Sequence, residues 1–201
     1  MTGVSVRFYR CVYYIAWLVF RIGHPVLRVR GKENLPEGPA VISCNHSAFS
    51  DPVWVVLASK PKRPYRVMAK EELFKIPVFR WLIRKVGAFP VDREANDINA
   101  VKTALKALRD GDKLLIFPEG TRVHEDVPPA AHGGAMLLTT RAKVPIVPVY
   151  ITRRKRFLRP IDVVFGEAYE PQIAGRKATS EELESLTAEM MKKIYALEDM
   201  L

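Results

Sequence analysis

Residues 26–30, 40–44, 65–69, 88–91, 113–117, 146–151 and 161–165 are short, mostly apolar runs, and segments with helical character lie between most of them. Runs of this length suit strands better than buried helices. Segment 96–109 carries Ile98, Val101, Leu105 and Leu108 at helical spacing. Segment 71–86 reads as helical with an interruption at Pro77, and 52–58 and 134–141 as shorter helices. Thr179-Ser180-Glu181-Glu182 is a capping box. It opens a C-terminal helix with Leu183, Leu186, Met190, Ile194 and Leu197 on one face. Strands that alternate with helices predict an α/β fold: a single domain whose central sheet is largely parallel and flanked by helices. A chain of 201 residues is long enough for one such core.

Residues 11–20 form an unbroken apolar run rich in aromatics, too short to span a bilayer, which takes about 20 apolar residues. Arg7 and Arg10 precede it, and Arg21 follows with no small-residue cleavage site. At about 100° per residue the three arginines fall within roughly 60° on a helical wheel. A greasy helix with a narrow basic stripe suits the headgroup layer of a membrane. The expectation is a membrane-associating helix over 1–24 and a separate domain over 25–201. The alternative is a helix packed on the domain's own core.

The formal charge of +10 implies anionic partners: lipid, a phosphorylated substrate, an acidic protein or nucleic acid. Cys11 and Cys44 make no disulfide framework, and a reducing, cytosol-facing location is the simple reading.

Two blocks carry chemistry, and each follows a strand, the edge where open α/β sheets bind ligands. The first is Asn45-His46-Ser47-Ala48-Phe49-Ser50-Asp51. A spacing of five separates two helical side chains by roughly 140°. His46 and Asp51 therefore meet only if His46 lies in the loop before a helix. Asp51-Pro52 reads as that helix start, with Asp51 as N-cap. Asp51 would then fix the His46 tautomer, and the free ring nitrogen could take a proton. The second block is Phe117-Pro118-Glu119-Gly120-Thr121-Arg122. Gly120 permits a tight backbone, Thr121 and Arg122 suit phosphate oxygens, and Glu119 suits a substrate hydroxyl or an arginine. Arg93 ends a further block, Gly87 to Arg93, and adds a second cation for a phosphate monoester. For each block taken alone, a solvated polar turn remains open.

With Val144-Pro145-Ile146-Val147-Pro148-Val149, these blocks form an ordered set of four. In that set the chain resembles the glycerolipid acyltransferase family, specifically the 1-acylglycerol-3-phosphate (lysophosphatidic acid) acyltransferases, over residues 26–167. The resemblance implies direct transfer of an acyl group from an acyl-CoA or acyl carrier protein thioester to the sn-2 hydroxyl, giving phosphatidic acid. It implies His46 as base, Asp51 as its partner, and Arg93, Glu119, Gly120, Thr121 and Arg122 as the acceptor's binding residues. It implies no cofactor beyond the thioester co-substrate, and attachment to the cytoplasmic face of the cell membrane as a monotopic or peripheral protein. Where many relatives carry a basic residue before the next helix, this chain has His132.

Several features point elsewhere. Cys44 is two residues from His46 and reads as core. Ser47 and Ser50 lack a Gly-x-Ser-x-Gly elbow. His46, His124 and His132 with Asp51 have no zinc spacing, so no metal is expected. The runs Arg153-Arg154-Lys155-Arg156 with Arg159, and Lys60, Lys62, Arg63 and Arg66, suit anionic lipid, a carrier protein, coenzyme A phosphates or plain solvent. Rival functions are the same chemistry on another lysolipid, thioester hydrolysis, and nucleic-acid binding. The last is disfavoured because no recognition-helix or RNP-like motif is present.

Overall fold

The computed structural model describes residues 5–92, 97–123 and 131–201. Its seven strands are β1 (Leu27–Arg30), β2 (Ala40–Cys44), β3 (Arg66–Lys70), β4 (Ala88–Val91), β5 (Lys113–Ile116), β6 (Ile146–Ile151) and β7 (Ile161–Phe165). Each falls within one residue of the run that predicts it. They form one sheet in the order β1-β7-β6-β2-β5-β3-β4. Among the described residues every neighbouring pair of strands is parallel except β6 with β7.

The helices are α1 (Val6–Gly23), α2 (Asp51–Ser59), α3 (Pro77–Lys85), α4 (Ile98–Arg109), α5 (Gly134–Ala142) and α6 (Ser180–Ala196). Two apolar layers sandwich the sheet because alternate strand residues face opposite sides. Ala40, Ile42 and Cys44 join Leu115, Trp54, Val55 and Leu57 on one side. Val41, Leu114 and Ile116 meet Ala104, Leu108, Met136 and Met190 on the other. With both faces covered, β2 is buried at every position.

Segment 71–86 divides at Pro77 as expected: a 3-10 turn (Glu71–Lys75) precedes α3, and proline takes the first helical turn, where it lacks no needed hydrogen bond. The capping box at Thr179 is present and starts α6. One detail departs from expectation. Ser50, not Asp51, is the N-cap of α2, and Asp51 is the first helical residue. Its carboxylate turns back over the preceding loop, taking the N–H groups of Ser47 at 2.6 Å and Ala48 at 2.7 Å.

Helix α1 is two-sided. Tyr9 is buried, Phe20 packs edge-on against Trp54 at 5.2 Å, and Tyr13 donates to Leu57 O at 3.2 Å. Tyr14, Ile15, Leu18, Val19 and Ile22 are exposed on its other side. Phe8 meets Trp81 of α3 edge-on at 5.5 Å, and α3 exposes Ile76 at its cap, Val78, Phe79 and Trp81. Among the described residues no helix is long and apolar enough to cross a membrane.

Because β7 runs back against β6, and β1 follows β7, β1 begins at the rim where the parallel strands end. The end of α1 is tied there: Leu158 N donates to Gly23 O at 2.7 Å, and the His24 ring lies 3.0 Å from Arg159 O.

Candidate active site

The strand ends of β2, β5 and β6 deliver the site. Asn45, buried just past β2, fastens this rim: its Nδ2 donates to Ile151 O at 3.0 Å and its Oδ1 accepts from Ile151 N at 2.8 Å. The side chain thus fastens the residue just past β2 to the last residue of β6 and fixes where His46 emerges.

His46 Nδ1 lies 2.9 Å from Asp51 Oδ2. An ionised carboxylate only accepts, so Nδ1 carries the proton and Nε2 is left with its lone pair. The ring stacks on Phe117 at 4.3 Å, which holds its plane. Burial alone would raise the Asp51 carboxyl. The His46 hydrogen bond, the Lys155 ammonium and the Ala48 N–H outweigh it and hold the group below the usual carboxylate range.

Glu119, three residues past the end of β5, is 3% exposed and has both oxygens engaged. Oε2 accepts from His46 N at 2.9 Å and Oε1 from the Tyr195 hydroxyl on α6 at 2.6 Å. Desolvation raises its carboxyl against the pull of those two donors. Val123 N donates to His46 O at 2.9 Å, so both backbone groups of His46 are held by the second block and the residue that follows it. Gly120 sits at φ +68°, and a Cβ there would lie 2.5 Å from His132 Cδ2. That is the physical need for glycine at this position. The Arg122 guanidinium lies 3.7 Å from the centre of the Phe49 ring, three residues past His46. Thr121 is exposed beside it.

The structure thus brings together His46, Asp51, Glu119, Gly120, Thr121 and Arg122. Arg93 and His124 lie outside the described residues. Next to the site is a cavity of about 620 Å³ whose walls include Met68, Val101, Leu105, Ile116 and Leu137. Phe117, Gly120 and His132 also border it.

Cys44 is fully buried, and burial pushes its thiol well up, which suits core rather than nucleophile. The cluster Lys60, Lys62, Arg63 and Arg66 sits at the opposite rim, where Arg63 pairs with Asp112 at 3.2 Å and Lys62 with Glu37 at 3.5 Å. Among the described residues no three His, Cys, Asp or Glu side chains gather as metal ligands.

Three residues escaped the sequence reading: Asn45 as a fastener, Tyr195 as the partner of Glu119, and Lys155. Lys155 Nζ stands 2.5 Å from Asp51 Oδ1, 3.1 Å from Ser47 Oγ and 2.6 Å from Thr152 O. It turns inward from a basic run that otherwise reads as a surface feature.

Known proteins resemble this chain in the same region. A family model described as Acyltransferase matches residues 26–152. The 1-acyl-sn-glycerol-3-phosphate acyltransferase of Bacillus subtilis (strain 168) is 33% identical over 183 residues, 87% of this chain and 89% of that protein. The protein of the same description from Streptococcus pneumoniae (strain ATCC BAA-255 / R6) is 42% identical over 113 residues, 56% of this chain and 41% of that protein. The chain therefore spans most of the first relative and under half of the second. The crystal structure of the 1-acyl-sn-glycerophosphate (LPA) acyltransferase PlsC from Thermotoga maritima shares the fold, with a TM-score of 0.72 at 22% identity over 94% of this chain and 79% of that one.

Proposed function

The chain belongs to the acyltransferase family, and on that premise we propose that it moves an acyl group from a thioester to the sn-2 hydroxyl of a 1-acylglycerol 3-phosphate, yielding phosphatidic acid. The observation that carries this reading is the 2.9 Å bond between His46 Nδ1 and Asp51 Oδ2. It leaves Nε2 able to accept the proton of an attacking hydroxyl. The alkoxide oxygen then bonds to the thioester carbonyl carbon. The tetrahedral adduct expels the thiolate, which recovers the proton from the imidazolium. Such base assistance contributes typically 10²–10⁴-fold. The thioester of coenzyme A or acyl carrier protein is the co-substrate.

In this reading Arg122 and Arg93 take the acceptor's phosphate, with Thr121 beside them. Gly120 gives the close backbone approach. Glu119 contributes by fixing the His46 backbone, since both its oxygens are already occupied. The cavity of about 620 Å³ suits an acyl chain.

Residues 1–24 serve as a membrane-associating helix and 25–201 as the acyltransferase domain, placed on the cytoplasmic face of the membrane. Supporting this, α1 shows Ile15, Leu18 and Ile22 to solvent, and α3 adds Val78 and Trp81 beside Arg80 and Arg84. Aromatics and aliphatics interleaved with arginine match an anionic interface.

The experiment offers purified protein labelled acyl-CoA or acyl carrier protein thioester, with lysophosphatidic acid or an uncharged lysolipid in vesicles. Labelled phosphatidic acid from the parent protein, absent with H46A, is the expected result. Free fatty acid in place of acylated lipid, preference for an acceptor without a phosphomonoester, or transfer by folded H46A each overturns it.

A further inference from the structure

Lys155 belongs to a sequence run of four cations, yet it behaves unlike a surface cation. Its side chain is 7% exposed, whereas Arg154 and Arg156 on either side are exposed. An ammonium taken out of water is costly unless it is paired and hydrogen-bonded. A lysine serving only lipid contact would keep its charge in solvent. Here the ammonium donates to Ser47 Oγ and Thr152 O and forms an ion pair with Asp51 Oδ1.

The partners explain the placement. Asp51 Oδ2 already receives His46 Nδ1, Ser47 N and Ala48 N. Oδ1 has no hydrogen bond of ordinary geometry, and the Lys155 ammonium faces it instead. The carboxylate is fully buried, so this cation is what balances its charge from the side away from the ring. With Oδ1 held by Lys155, the carboxylate plane is set and Oδ2 is aimed at His46. The same ammonium also ties the loop after β2, through Ser47, to the connection after β6, through Thr152.

We infer that Lys155 is a positioning residue, the third member of a His46–Asp51–Lys155 array, which orients the Asp51 carboxylate and moderates its pull on the imidazole. The inference deepens the acyl-transfer reading and rests on it. Charged groups facing His46 or its immediate partners are Asp51 on α2, Glu119 after β5, and Lys155 and Arg153 after β6, Lys155 against Asp51 and Arg153 acting on Glu119. Removing only the Lys155 cation leaves the buried Asp51 carboxylate without its counter-charge, which favours the protonated ring.

The test compares the parent protein with K155M, K155R, D51N and the double variant K155M/D51N. With acyl-CoA and lysophosphatidic acid saturating, K155M is expected to lose about a hundredfold in kcat, within the reach of base assistance, while KM for the acceptor changes by less than about threefold. K155R is expected to recover part of the loss. The acid limb of the kcat/KM profile is expected at higher pH in K155M than in the parent. Because K155M strands a buried carboxylate and can fail to fold, the double variant carries the comparison in that case. Acting through Asp51 means that K155M/D51N is no slower than D51N. Folded K155M with kcat within threefold of the parent and an unmoved acid limb overturns the inference. So does a double variant whose loss is the product of the two single losses. NMR titration of the His46 ring reads the same array without substrate: a K155M ring that titrates at the parent's pH also overturns it. If instead the parent protein fails to acylate lysophosphatidic acid, the functional reading falls while the ring titration still decides the role of Lys155.

Discussion

The Tyr195 hydroxyl donates to Glu119 Oε1 across 2.6 Å, so the last helix of the chain holds the carboxylate that grips the His46 backbone. Removing that hydroxyl leaves a desolvated carboxylate oxygen without its donor. Hydrogen bonds to charged groups contribute about 1.5–3 kcal/mol. Y195F is therefore expected to lower unfolding stability by about that amount and, by loosening the carboxylate that holds the His46 backbone, to lower kcat/KM as well. Steady-state acyl transfer measures this. An unchanged rate in a variant that melts normally would contradict the linkage between α6 and His46.

Asp51 makes acid stability a second probe. Its carboxyl lies below its ordinary value in the native state, so below about pH 4 the unfolded chain binds more protons than the folded one. The stability it supplies is complete above that range and is lost as pH falls through its lowered native value. The gap in urea midpoint between the parent and D51N is expected to be widest at pH 7 and to shrink by pH 3. Glu119 acts with opposite sign. Its native carboxyl is raised, so its ionisation costs stability as pH climbs above its unfolded value. E119Q should remove that falling component. A D51N gap independent of pH contradicts the first assignment.

Gly120 supports a third prediction. Its φ of +68° penalises any Cβ, and that atom would also fall 2.5 Å from His132 Cδ2 and 2.7 Å from Nε2. The left-handed backbone alone costs about 1–2 kcal/mol for an L-residue. G120A is expected to lose at least this much in urea denaturation. G120A/H132A, compared with H132A, is expected to recover the clash but not the backbone cost. Full recovery would mean that the backbone relaxes freely there.

The two outward-facing helices give a fourth. Fully burying one aliphatic side chain contributes about 1.5–3 kcal/mol. I15S/L18S/I22S on α1 and V78S/W81S on α3 are each expected to cut flotation with vesicles containing anionic lipid by more than tenfold. Added salt should weaken the parent's binding through its arginines. Vesicle binding that neither set alters would place the lipid contact elsewhere.

How much of this was legible in advance depends on the range of the signal. Each strand is a local run, and the His46–Asp51 spacing is local too, so both could be read directly. The capping box at Thr179 is local for the same reason. Lys155 meets Ser47 across 108 residues, Asn45 meets Ile151 across 106, and Tyr195 meets Glu119 across 76. No period or spacing links such positions; only the strand order brings them together. The N-cap of α2 was off by one position because Ser50 and Asp51 are both good capping types, and Asp51 spends its carboxylate on the loop instead. Apolar alternation likewise carries no direction, so nothing in segment 161–165 announced that β7 would turn back.

That turn has a geometric result. A five-residue strand is about 17 Å long at roughly 3.4 Å per residue. Had β1 run alongside the inner strands, α1 would have ended at the far rim, about that distance from His46. Reversing the outer pair docks Gly23 and His24 beside the β6–β7 connection, whose Lys155 abuts Asp51. One about-face in the sheet brings the end of the leading helix to the same edge as the histidine.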